Sequence, residues 1–250
     1  MKEVFEEYVK NYDMSDLDIA YKYKHSYRVM ALSKWLSEEL KLDKKDIELA
    51  TIIGLYHDIG RFEEDKRFDS FGVHRDFDHG DYGRDILLKE RLVEKIQIEE
   101  KYYSLIAKAV EMHNKYSIEK GLDEKTDLHC KIIRDADKID ILRSMGKGLM
   151  QKKHFNIEAK GEDLAEDVRE EFYKNVQIRK RAVSKHSDAN KVLCALALVY
   201  DINYMPSLKF IKENKIIDAL YNILKDKESF KEYFDHINEY IKRRMENVRN

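Results

Sequence analysis

The sequence predicts an all-α fold: a single compact helical bundle with a C-terminal helical extension. Three observations carry that expectation. One proline and nine glycines in 250 residues leave few places at which a helix must break. Apolar residues recur mostly at three- and four-residue steps, the period of a helix with one buried face. No repeat period or low-complexity linker divides the chain, and a 43% hydrophobic content is enough to bury a sizeable core.

Taken in order, Asp16 caps a helix running to about Leu40, and Asp43 starts another that ends near His57-Asp58-Ile59-Gly60, where Gly60 supplies a helix stop. Residues about 61–77 mix Arg, Asp, Phe, Ser and Gly without period and read as a loop. Helices follow at about 79–92, 100–114 and 126–142. The polar stretch from Met145 to Gly161 is irregular and is the best place for a mobile segment or lid. Helices at about 162–178, 190–204, 207–224 and 228–247 complete the chain, with Pro206 breaking the third of the four from the second. Residues 16–145 are thus expected to be the core and 146–250 an extension packed on it.

Composition narrows the function classes. Lys and Arg total 47 against 49 Asp and Glu, so no global basic field exists to hold nucleic acid. Lys242-Arg243-Arg244 reads as a solvated helix end. Cys130 and Cys194 lie in no CxxC spacing, the longest apolar run (Val192 to Val199) is too short to span a bilayer, and the first residues are acidic. A reduced cytoplasmic protein is expected, with no membrane or nucleic-acid partner.

Several polar groups sit on apolar faces. His25 shares a stripe with Val29, Leu32 and Leu36; His57 lies beside Ile53 and Ala50; His113 beside Val110, Ala109 and Ile106; and Asp137 beside Ile133 and Ile141. A buried imidazole or carboxylate without a partner costs several kcal/mol at order of magnitude, so each needs something to bind. Taken singly, each histidine reads as a core residue bonded to a backbone carbonyl, and Asp137 as an ion pair with Lys138 or Arg134. One shared metal site explains all four together, since imidazoles and carboxylates suit a metal that activates water. His79 stands at a helix start, where a solvent-exposed side chain is the plain alternative. His74, His129, His154, His186 and His236 read as surface or locally bonded residues, with His74 of interest because its loop leads to His79.

Read in order, His25, the His57-Asp58 doublet within Leu-Tyr-His-Asp-Ile-Gly-Arg-Phe, and Asp137 within Arg134-Asp135-Ala136-Asp137-Lys138-Ile139-Asp140 resemble the HD-domain superfamily of metal-dependent phosphohydrolases. The resemblance spans about residues 20–145 and implies a helical bundle with a central metal site. It implies that His25, His57, Asp58 and Asp137 hold a first divalent ion, and that His79 and His113 hold a second, bridged by Asp58. The ligand types admit Mn, Fe, Ni, Co or Zn and do not rank them. The substrate is then expected to be a nucleotide or another small phosphate ester, with Arg28, Arg61, Arg84 and Lys115 as substrate-binding cations. Asp58 and Arg61 would act in catalysis, with Asp81 and Lys138 as proton carriers or supports of the ligands. A nucleotide-binding regulator without turnover and a di-iron oxygenase are the alternatives, and a homo-oligomer is compatible with either. The chain after Gly161 carries no motif of its own.

Overall fold

The computed structural model describes residues 1–68, 76–178 and 187–247, and these are helical without strands. His74 and His186 lie outside the described residues. The chain divides into two compact units, Met1–Asp137 and Lys138–Asn250.

In the first unit, α1 (Lys2–Val9), α2 (Leu17–Glu39), α3 (Lys44–Tyr56), α4 (Ile59–Phe68), α5 (His79–Leu88), α6 (Leu92–Lys95) and α7 (Tyr103–Met112) are followed by α8 (Glu124–Gly146), which runs across the division. The two caps expected from sequence are in place: Asp16 accepts from the amides of Asp18 and Ile19, and Asp43 from that of Asp46. Each satisfies amides that have no partner within the helix. The apolar stripe of α2 is buried at Val29, Leu32 and Leu36, against α3. Helix α1, which periodicity did not single out, inserts Phe5 among the rings of Tyr23, Tyr27, Tyr56 and Phe62 at centroid distances from 5.5 to 6.1 Å.

The largest departure from expectation is at Gly60. It does not stop a helix; it lies in the first turn of α4, and the stretch read as a loop is helical as far as Phe68. The break falls two residues earlier, at His57-Asp58, where the chain makes a turn between α3 and α4. Glycine is needed there for close approach: a Cβ at Gly60 would lie 2.3 Å from the carbonyl oxygen of His79. The same applies to Gly80, whose added Cβ would meet Asn114 Oδ1 at 2.6 Å and the Glu111 carbonyl at 2.7 Å. These two glycines let α5 lie close to its neighbours α4 and α7. The helix expected over 79–92 ends at Leu88, and α6 begins after Arg91, whose φ is +58°. A short 3-10 turn, Glu100–Tyr102, precedes α7.

In the second unit the stretch after α8 is irregular to Lys160 and holds buried Phe155 and Ala159, and the Lys225 amide donates to the Ile157 carbonyl at 2.9 Å. Then come α9 (Glu166–Tyr173), α10 (Asp188–Leu196) ending in a 3-10 turn, α11 (Met205–Glu213), α12 (Ile216–Ile223) and α13 (Lys227–Glu246). The single helix expected over 207–224 is two, because Lys215 adopts φ +51° between α11 and α12. Pro206 sits in the first turn of α11, where its missing N–H costs nothing.

Candidate metal centre

Six side chains from five places in the first unit converge on one buried point. His25 comes from the middle of α2, His57 and Asp58 from the α3–α4 turn, His79 from the first residue of α5, His113 from the end of α7 and Asp137 from α8. His25 and His57 are fully buried, Asp58, His79 and His113 nearly so. Groups of their donor atoms lie close enough to hold a metal ion: His25, His57 and Asp58; His57, His113 and Asp137; and Asp58, His79 and His113.

The carboxylate of Asp58 divides between two sets of imidazoles. Its Oδ2 is 3.5 Å from Nε2 of both His25 and His57, while its Oδ1 is 3.5 Å from Nε2 of His79 and 3.4 Å from that of His113. Asp137 Oδ1 joins the first set, 3.1 Å from His25 and 3.6 Å from His57. The Nε2 atoms of His25 and His57 are 3.2 Å apart, and those of His79 and His113 3.1 Å.

Backbone fixes two of the rings. His57 donates from Nδ1 to the Gly54 carbonyl at 2.9 Å, and His113 from Nδ1 to the Val110 carbonyl at 2.6 Å. A carbonyl only accepts, so a proton sits on Nδ1 and Nε2 is the nitrogen turned inward, the one whose lone pair the neutral ring would offer a metal. His79 is placed differently: Asp78 caps α5, and the Asn114 amide nitrogen lies 2.9 Å from Asp78 Oδ1 and 3.2 Å from His79 Nδ1. The Asn114 carbonyl oxygen is buried with no hydrogen-bond partner. Each half of the cluster offers two imidazoles and a carboxylate oxygen. The donor set therefore suits a divalent ion in both halves.

The electrostatics of the side chains alone show how strongly this cluster attracts positive charge. Burial works to lower the His57 pKa, but Asp58 and Asp137 outweigh it and push it up to about 10. Burial works to raise Asp58 and Asp137, yet Lys22 and His57 hold the first, and His25 and His57 the second, well below the usual carboxylate range. Burial holds His113 below, and His79 well below, the ordinary histidine value; the charge of Arg61 adds to this at His79. Two carboxylates thus stay ionised in a dry site and require cations there.

Residues 23–142 match the family model of the HD domain. The chain carries an HD domain. No curated protein and no solved structure matches the chain significantly.

The substrate-binding and proton-carrying residues expected from sequence are spread more widely than the six. Arg61, mostly buried, lies against the HD-domain cluster: its Nε is 3.7 Å from Asp58 Oδ1 and its guanidinium is bound to Glu64 at 2.5 Å. Arg28 lies over the ring of Tyr21 at 5.5 Å, and that ring stacks on His25. Lys115 is held by Asp78 at 2.8 Å and Asp81 at 2.6 Å. Arg84 is held by Glu111 at 2.6 Å and Asp85 at 2.8 Å. Lys138 pairs with Asp201 at 2.8 Å within the second unit. Asp137 therefore faces His25 and His57 rather than forming the ion pair with Lys138 or Arg134 that sequence allowed, and His79 is buried rather than solvent-exposed. His129 is a core residue, bonded through Nε2 to Asp46 at 3.0 Å.

Two cations beside the cluster were not singled out in the sequence as residues of the site. The Lys22 ammonium is 2.6 Å from Asp58 Oδ2. Arg134, almost fully buried, donates to the carbonyls of Met112 at 2.9 Å, Lys115 at 2.6 Å and Tyr116 at 3.3 Å, closing the C-terminal end of α7 next to His113. Each stands three residues before a predicted ligand on the same helix, and that spacing was the available signal.

Proposed function

We propose that the HD domain is a metal-dependent phosphohydrolase acting on a nucleotide or another small phosphate ester, with two divalent ions sharing Asp58. The observation that carries this reading is the divided carboxylate: Oδ2 faces His25 and His57, and Oδ1 faces His79 and His113. In this reading His25, His57, Asp58 and Asp137 hold one ion and Asp58, His79 and His113 the other. The ions would supply a water acidified toward hydroxide and positive charge for the phosphoryl oxygens.

The protein's own part is positioning and charge. The Gly54 and Val110 carbonyls fix the His57 and His113 rings, so the ligands are preorganised. Burial excludes bulk water, which strengthens every charge interaction in the cluster. Arg61 lies on the Oδ1 side of Asp58, where an anionic substrate oxygen would meet it. Two cysteines in no CxxC spacing fit the reducing cytoplasm we assign to the protein.

The test is elemental analysis of protein purified without oxygen, followed by a phosphate-release screen. Phosphate or pyrophosphate release that needs added metal is expected, and His57→Ala or Asp58→Ala is expected to lose both bound metal and activity. A ratio near one metal per chain removes the roles given to His79 and His113. A folded, metal-loaded protein inactive on nucleotides, dinucleotides, cyclic nucleotides and phosphomonoesters overturns the assignment.

A further inference from the structure

The geometry points to Lys22 as a substrate-binding residue of this site, donating to a phosphoryl oxygen on the His25–His57–Asp137 side of Asp58; the inference rests on the phosphohydrolase reading. The residue lies on α2 one turn before His25, and its ammonium is 2.6 Å from Asp58 Oδ2. Its side chain is 12% exposed against 3% for Asp58, so the cation is the more accessible partner of the pair. Lys24, two residues on, is exposed and turned away from this arrangement.

The argument is one of charge. A metal ion on the His25 and His57 side would bind the same Oδ2 that Lys22 contacts. Two cations on one carboxylate oxygen repel each other strongly in a buried setting, unless an anion lies between them. A phosphoryl oxygen is such an anion. An ammonium has three donors, so Lys22 can keep its bond to Asp58 and give another to the substrate. Arg61 stands on the opposite oxygen, 3.7 Å from Oδ1. A phosphoryl group laid across the shared carboxylate would therefore find one fixed cation at each end, Lys22 by Oδ2 and Arg61 by Oδ1.

The test uses the full, zinc-loaded chain and inorganic phosphate as the probe. In titration calorimetry, Lys22→Gln is expected to weaken phosphate binding by roughly ten- to a hundred-fold, the loss of one charge-assisted hydrogen bond, with metal content unchanged. Lys24→Gln is expected to bind phosphate as the unaltered chain does. Phosphate affinity unchanged in Lys22→Gln overturns the assignment. So does loss of zinc together with phosphate, which would make Lys22 only a support for Asp58. Should Lys22→Gln not fold, the ammonium nitrogen resonance of Lys22 in nitrogen-15-labelled chain decides, assigned by its disappearance in Lys22→Arg. It is expected to shift on adding phosphate, and an unmoved signal overturns the inference. A chain that binds phosphate through Lys22 yet hydrolyses no ester removes the proposed function and leaves this assignment standing. Hydrolysis with undisturbed phosphate affinity in Lys22→Gln removes the assignment alone.

Discussion

Arg134 shows how a residue that touches no reacting atom can govern the site. The last carbonyls of a helix have no partner within it, and its C-terminus carries partial negative charge. One buried guanidinium meets the carbonyls of Met112 and His113 at the end of α7 and those of Lys115 and Tyr116 in the segment that follows. Arg134→Met removes the cation and leaves those oxygens underbonded in the interior. A loss of stability on the order of 3 kcal/mol is expected, read as a shift in the urea midpoint. Metal analysis on the same variant is expected to show preferential loss from the His79–His113 half, because the carbonyls that Arg134 meets adjoin His113, whereas His25 and His57 lie on other elements and Asp137 faces those two rings. Equal loss from both halves would show that Arg134 supports the unit generally. Of the six converging residues, His25, His57, His113 and Asp137 were legible as polar side chains on apolar helical stripes, while Asp58 and His79 entered through the resemblance. Lys22, Arg134 and Asn114 were not, since their roles depend on contacts across the fold, with Asp58, the end of α7 and His79 respectively.

At the scale of elements, the caps of α2 and α3 were read correctly because capping is local chemistry: an Asp followed within three residues by free amides. Asp16→Ala is expected to cost about 1 kcal/mol, measured by thermal melting, through loss of its bonds to the amides of Asp18 and Ile19. Helix α4 was missed for the opposite reason. Gly60 by local propensity ends a helix, but here tertiary packing decides, and its bare Cα lets the His79 carbonyl come close. Gly60→Ala accordingly forces α4 and α5 apart even though alanine is the better helix former. Destabilisation of about 1–3 kcal/mol is expected from overpacking, where propensity alone predicts a gain. Since α5 begins at His79, weaker retention of the second ion should accompany it. A more stable variant with full metal content would place the α4–α5 approach outside the requirements of the site. Helices α11 and α12 were read as one because Lys215 gives no sign in the sequence of its left-handed backbone.

For the whole molecule, the cluster makes stability depend on metal and pH together. Within the side chains alone, His57 is raised from 6.5 to about 10, so its contribution is full below 6.5 and lost as pH rises through about 10. His79 and His113 are lowered, so on acidification below 6.5 the unfolded chain binds protons that these rings refuse, and stability falls. Asp58 and Asp137, also lowered, contribute above the ordinary carboxylate value of 3.8 and lose that contribution as pH falls further. Chelated protein is therefore expected to be most stable near pH 6.5 and to weaken on either side. Metal changes the alkaline limb, because it binds the neutral His57 ring and takes over the charge that the proton supplied. The metal-loaded protein is expected to hold its stability from pH 6.5 to 9 and to exceed the chelated protein by about 2.7 kcal/mol for each ion bound when free metal is a hundredfold above its Kd. Urea denaturation across pH, with and without a chelator, checks both limbs. Parallel curves would mean that the metal does not replace the proton on His57. They would thereby contradict the ligand role on which the proposed chemistry depends.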